Sequence, residues 1–163
     1  MTYEEQVEQF INQFDLTHSV SVDIDYKYCF YRTEKYIDLF RSDLKIFIHQ
    51  LNRRFYSRKT SKLNYNDELP IVIPIIENKN SRFEPLHFHF ALGNLRQDKF
   101  TSEQIEEKIK LSWYATKYHE KRVSKSVVVK EIYSKDKWTS YITKELKYKN
   151  NSCIEYDLIQ TSR

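Results

Sequence analysis

Polar and apolar residues alternate from His18 to Tyr26, with Val20, Val22 and Ile24 on one side and Ser21, Asp23 and Asp25 on the other. Alternate residues of a strand face the same way, so this segment predicts a half-buried strand. The period then changes. From Glu34 to about Tyr56 the apolar positions Ile37, Phe40, Leu44, Phe47, Leu51 and Phe55 recur at intervals of three and four, the signature of an amphipathic helix. Val7, Phe10, Ile11 and Phe14 predict a shorter helix over residues 3–14. Ser57 to Glu68 is polar and basic and reads as a loop. Ile71 to Glu77 is a continuous β-branched run, hence a well-buried strand, in which Pro74 implies an edge or a bulge. A polar turn leads into a second strand, Leu86 to Leu92, closed by Gly93 and Asn94; the two strands predict a hairpin with a long loop. Thr101 and Gln104 form a capping-box pattern that opens a helix to about Tyr118, with Ile105, Ile109 and Trp113 inward. Ser126 to Tyr133 is another β-branched strand. Asp136 can cap a helix running to about Tyr148 on the apolar line Trp138, Ile142, Leu146, and Cys153 to Ile159 reads as a last strand.

This order predicts an α+β fold with a ferredoxin-like, RRM-like central antiparallel sheet and the first two long helices packed on one face. The opposite face is left for a ligand and for the last helix. No internal repeat, low-complexity tract or linker divides the chain, so residues 1–163 are expected to form a single domain.

Composition adds limits. The net charge of +4 is a mild basic bias, compatible with a phosphate-bearing partner but too weak to argue for one alone. Thirteen tyrosines and ten phenylalanines exceed what a minimal core needs; a skew toward Tyr, Phe, Ile, Asn and Lys of the kind an AT-rich genome imposes accounts for most of the excess. Cys29 and Cys153 form no spaced pair, which argues against a disulfide framework or a zinc knuckle. The N-terminus is acidic and polar, unlike a signal peptide, and no apolar run approaches membrane-spanning length. The expectation is a soluble, cytoplasmic protein without a membrane partner.

The candidate chemistry lies on two of these elements. On the strand Leu86 to Leu92, Leu86, Phe88 and Phe90 would pack beneath the helices, so His87 and His89 project together from the open face. Two neutral imidazoles bind a divalent ion well, and a carboxylate commonly completes the set. Glu77, across the hairpin, is the first choice for that carboxylate; Glu84 is the reserve, and Asp23 or Asp25 remain open. Taken alone, a His-x-His strand is more often two incidental polar residues on a solvated face. On the last helix Tyr141 and Lys144 stand three residues apart, near enough to approach one small target together. A phenol is a weak nucleophile, with an ordinary pKa of about 10. A metal on the target phosphate raises the electrophilicity of phosphorus, and a cation one turn away stabilises the developing charge. Together the two motifs carry what is needed to break a phosphodiester.

In this combination, order and setting, the chain resembles the endonuclease domain of the HUH superfamily, specifically its rolling-circle replication initiator (Rep) branch. The motif strand is Leu86-His87-Phe88-His89-Phe90, an upstream acid stands at Glu77, and the Tyr-x-x-Lys motif follows as Tyr141 to Lys144. The resemblance spans nearly the whole chain. It implies Mg²⁺ or Mn²⁺ held by His87, His89 and an acid, Tyr141 as nucleophile and Lys144 as its cationic partner. The reaction implied is nicking of single-stranded or hairpin DNA at a replication origin through a 5′-phosphotyrosine adduct, and rejoining by the reverse transfer. Position 145 is Glu, so a second adjacent tyrosine is missing and the single-tyrosine subgroup fits best. Closure with one tyrosine would need a second protomer or a second round. Host replication proteins are further candidate partners, and a short form of this kind suits a plasmid or a virus of a bacterial or archaeal host.

For DNA affinity, Arg53, Arg54, Arg58, Lys59 and Lys62 cluster after the first long helix, and Lys117, Lys121, Arg122 and Lys125 flank the second. Tyr56, Tyr65 or Tyr118 would stack on bases. Two rival readings share much of this pattern. One is a single-tyrosine HUH transposase of insertion-sequence type, which prefers hairpin-flanked element ends. The other is a non-catalytic module that binds single strands through aromatic pairs on its exposed sheet.

Overall fold

The computed structural model describes residues 1–24, 34–60, 69–78, 87–116, 124–143 and 153–161, with side chains at all of these except 23–24, 34–36, 57–60, 124–126 and 142. In chain order the elements are α1 (Tyr3–Asn12), β1 (Leu16–Ile24), α2 (Glu34–Thr60), β2 (Ile71–Glu77), β3 (His87–Gly93), α3 (Ser102–Tyr114), β4 (Ser124–Glu131) and α4 (Lys135–Ile142), followed by a 3₁₀ turn at Tyr156–Leu158. The four strands form one sheet in the order β2-β3-β1-β4, and every neighbouring pair is antiparallel. Two β-α-β halves interleaved in this way make the α+β, ferredoxin-like arrangement that the order of elements predicts.

The period of two decides which side chains go where. Val20 and Val22 of β1, Phe88, Phe90 and Leu92 of β3 and Val127 of β4 face α2 and α3, and they join Phe40, Leu44, Phe47, Leu51, Ile109 and Trp113 in the larger core. Phe40 stacks on Phe88 with ring centres 3.7 Å apart, and Phe47 stacks on Phe90 at 5.1 Å. The capping box at Thr101 forms as the sequence predicts: the Thr101 hydroxyl accepts from the Gln104 amide and the Gln104 side chain accepts from the Thr101 amide. A second box, Thr2 with Glu5, opens α1.

Apart from shifts of two to four residues at the ends of β1, α3 and β4, four features differ from the sequence reading, while the expected end of the last helix near Tyr148 lies outside the described residues. Helix α2 runs on to Thr60, because Ser57–Thr60 contains no glycine or proline to stop a helix that is already formed. Helix α4 begins at Lys135 with Ser134 as its N-cap, so Asp136 sits within the first turn instead of capping it. Among the described residues, α1 packs on the opposite face of the sheet as well as α4. Both flat faces of β2 are apolar: Val72 and Ile76 enter the larger core, while Ile71, Ile73 and Ile75 form a second core with Val7 and Ile11 of α1, Ile154 and the partly buried Trp138 of α4. A strand apolar on both faces needs cover on both.

The tail is the fourth difference. Instead of a full strand it makes two isolated bridges along the outer edge of β2, Ile75 with Ile154 and Val72 with Gln160, around the 3₁₀ turn. Pro74 does mark an edge. Its carbonyl points outward and accepts from the Glu155 amide at 3.1 Å. Its ring nitrogen therefore also lies on the outer side, and no bond to β3 is lost. Arg41 of α2 fixes the tail by donating from Nε and Nη2 to the Glu155 carboxylate at 2.7 and 3.3 Å.

Candidate active site

Because Phe88 and Phe90 are committed to the larger core, His87 and His89 must point to the opposite face, and both are partly exposed there. The strand register then selects their neighbours. Glu77 of β2 and Asp23 of β1 flank His87, while Ser21 of β1 and Ile75 of β2 flank His89. Glu77 is only 3% exposed, and its Oε2 lies 3.3 Å from His89 Nε2. On the other side of the ring, Ser21 Oγ and His89 Nδ1 form a hydrogen bond at 2.9 Å. That bond fixes the imidazole plane and turns Nε2 toward the carboxylate, as a partner on the second nitrogen commonly does for metal-ligating histidines.

Tyr141 belongs to the same group. Its ring stands edge-on to His89, 6.3 Å between centres with an interplanar angle of 87°, and it is 51% exposed. Helix α4 brings it there. Trp138, one turn earlier, inserts into the second core, and the buried hydroxyls of Thr139 and Thr143 face α1. Residues 77, 87, 89 and 141, far apart in sequence, thus meet on one face of the sheet.

A divalent ion can be tested against these donors. Two imidazoles and a carboxylate suit Mn²⁺, and Mg²⁺ less closely. The 3.3 Å between His89 Nε2 and Glu77 Oε2 is close to the ~3.0 Å that separates adjacent ligands of one ion with bonds of ~2.1 Å. The ring centre of His87 is 6.3 Å from that of His89. Among the described residues no three His, Cys, Asp or Glu side chains are gathered into a ready metal cluster. The donor types and the His89–Glu77 spacing fit; His87 is on the right face without being closed onto the other two.

The remaining sequence candidates divide. Lys144, Glu84, Asp25, Lys62, Tyr65, Lys117, Tyr118, Lys121 and Arg122 lie outside the described residues, as do the side chains of Asp23, Arg58, Lys59 and Lys125. Arg53 and Arg54 are near the C-terminal end of α2, on the helix-covered face and at the end of the sheet away from His87. Arg54 Nη2 donates to the Leu111 carbonyl at 3.4 Å, joining α2 to α3. Neither arginine borders the histidines. Tyr56 is buried, its hydroxyl donates to the Asn94 carbonyl at 2.8 Å, and Arg96 lies over its ring, so it is not a stacking surface for a base. A groove of about 410 Å³ between α2 and the tail, lined by Lys45, Ile48 and Gln160 among others, contains none of the site residues.

Sequence reasoning did not single out Ser21 or the residues that hold α4. Ser21 was legible in principle, since its alternation places it on the histidine face. Glu8 and Asn12 of α1, which meet Thr143 and Thr139, were not, because an amphipathic pattern does not say which face of a sheet a helix covers.

No family model matches the chain, and comparisons with curated proteins and with solved structures found no match. No helix among the described residues is long and apolar enough to cross a membrane.

Proposed function

We propose that this protein is a metal-dependent endonuclease of the HUH replication-initiator type, which nicks single-stranded origin DNA by attack of Tyr141 and rejoins strands by the reverse reaction. The observation that carries the proposal is the Tyr141 ring set edge-on against His89, itself paired with the buried Glu77, on one face of the sheet. An incidental histidine pair would predict no such neighbours, and the convergence is what supports the reading.

His87, His89 and Glu77 would hold Mg²⁺ or Mn²⁺, which when bound draws charge from the scissile phosphate. Ser21 holds the His89 ring so that Nε2 faces the ligand side. The Tyr141 oxygen forms a bond to phosphorus as the bond to the DNA 3′ oxygen breaks; the phenolic proton passes to solvent, and the departing 3′ oxygen takes up a proton. The product is a 5′-phosphotyrosine and a free 3′ hydroxyl. A 3′ hydroxyl attacking the same phosphorus reverses the step and regenerates Tyr141. Lys144, three residues on, is assigned to stabilise charge on the phenolate or phosphate. Tyr141 itself is half-exposed.

The test uses a pool of single-stranded and hairpin oligonucleotides with Mn²⁺, followed by denaturing electrophoresis. A covalent adduct is expected from the native protein, none from Tyr141→Phe, and none in EDTA. An adduct that survives Tyr141→Phe would remove the assigned nucleophile; one indifferent to EDTA would remove the metal.

A further inference from the structure

Helix α4 has only eight residues and its N-cap Ser134 makes no side-chain capping bond. Such a helix is marginal in isolation, so its position is set by what it docks against. Its angular layout separates three roles. With about 100° between successive residues, Thr139 and Thr143 share one flank, Trp138 points about a quarter turn away, and Tyr141 lies beyond it on the far flank. Trp138 enters the second core and Tyr141 meets His89. The threonine flank meets α1: Thr139 Oγ1 donates to Asn12 Oδ1 at 3.2 Å, and Thr143 Oγ1 lies 3.0 Å from Glu8 Oε1 and 2.9 Å from the Thr139 carbonyl, so its single proton is shared between the carboxylate and its own helix. Both threonines are 1% exposed. Lys135 Nζ adds a bond to the Asn12 carbonyl at 2.6 Å.

Glu8 and Asn12 are four residues apart on α1, and Thr139 and Thr143 are four apart on α4, so the contacts form two matched rungs between antiparallel helices. Trp138 in the second core and Lys135 on the Asn12 carbonyl already anchor α4, and the two rungs add a constraint on its rotation and slide. We infer that Glu8 and Asn12 are positioning residues for Tyr141: through Thr143 and Thr139 they set the rotation of α4 and so hold the phenol over His89. As a role in catalysis this rests on the reading of Tyr141 as nucleophile; as a statement about where the ring sits it does not. The apolar docking of α1 through Val7 and Ile11 is separate from these polar groups. Removing the rungs therefore loosens α4 without detaching α1.

The experiment places 3-fluorotyrosine at position 141 alone and reads its ¹⁹F resonance in the full chain, alongside oligonucleotide binding and the rate of adduct formation. In the Glu8→Ala/Asn12→Ala protein the line is expected to move toward the value of the free amino acid and to sharpen. The adduct rate is expected to fall at least about 10-fold, as loss of nucleophile alignment predicts, with binding of the oligonucleotide unchanged. Thr143→Val should act in the same direction, whereas Glu8→Gln, which keeps an acceptor oxygen, should retain the native line and rate. A ¹⁹F line unmoved in a double variant with native circular dichroism overturns the inference, and so does a moved line with an undiminished adduct rate. If the native protein forms no adduct, the nuclease reading falls, while the ¹⁹F arm still decides whether α1 positions the ring.

Discussion

His18 shows how one residue's setting reaches the behaviour of the protein. It lies on β1 with 4% of its surface exposed, its Nδ1 2.9 Å from the Thr17 hydroxyl. Burial pushes its pKa down from the ordinary 6.5, with Glu131 and Glu106 opposing the shift in part. Above that ordinary value the imidazole is neutral in both folded and unfolded chains and contributes no pH dependence. As pH falls through it, the unfolded chain takes up the proton first, so stability drops until the lower, folded pKa is reached. His18→Gln is expected to remove this component: between pH 7.5 and 5.5 its melting temperature should fall less than that of the native protein. Equal slopes for the two proteins would show that the site is not buried neutral. The alternation of β1 puts His18 on the side of Val20 and Val22, but the period alone does not say how completely a strand end is covered.

At the scale of elements, what could be read from the chain was what depends on local periodicity. Strand β1, the α2 stripe and the Thr101–Gln104 box all follow from spacing, and so does the split of His87 and His89 from Phe88 and Phe90. That split is enforced by packing: Phe88 and Phe90 fill the space against Phe40 and Phe47, and the histidines take the face that remains. Phe40→Ala should therefore cost about 3–5 kcal/mol in urea denaturation, because a fully buried ring is replaced by a cavity. A loss below about 1 kcal/mol would mean that the core can collapse around the deletion and that the strand orientation is held by something else. What could not be read depends on long-range partners. The two-faced burial of β2 hints at cover on both sides, yet nothing local says that α1 provides it. The tail carries a strand-like apolar pattern, but it meets β2 in only two bridges, separated by the turn at Tyr156–Leu158.

For the whole molecule, the site exists only when the chain is folded. Glu77 arrives on β2, His87 and His89 on β3, Ser21 on β1 and Tyr141 on α4, so the unfolded chain holds no comparable set of donors. A ligand that binds the folded state alone stabilises it by mass action. With Mn²⁺ at about 100 times its dissociation constant the gain is about 2.7 kcal/mol, which for a chain of this size raises the melting temperature by about 5–10 °C. The rise should be reversed by EDTA, and it should be lost or sharply reduced in His89→Ala and in Glu77→Gln. Ca²⁺, which favours more oxygen ligands than this set offers, should give a smaller shift at the same concentration. His87→Ala is the informative variant, because His87 shares the face without closing onto the other two donors. If that variant keeps the full Mn²⁺ shift, the ion is held by His89 and Glu77 with a different third ligand. If the native protein shows no shift with any divalent ion while its fold is intact, the His89–Glu77 pair is a structural contact at the end of β2, and the proposed attack by Tyr141 loses its electrophilic assistance.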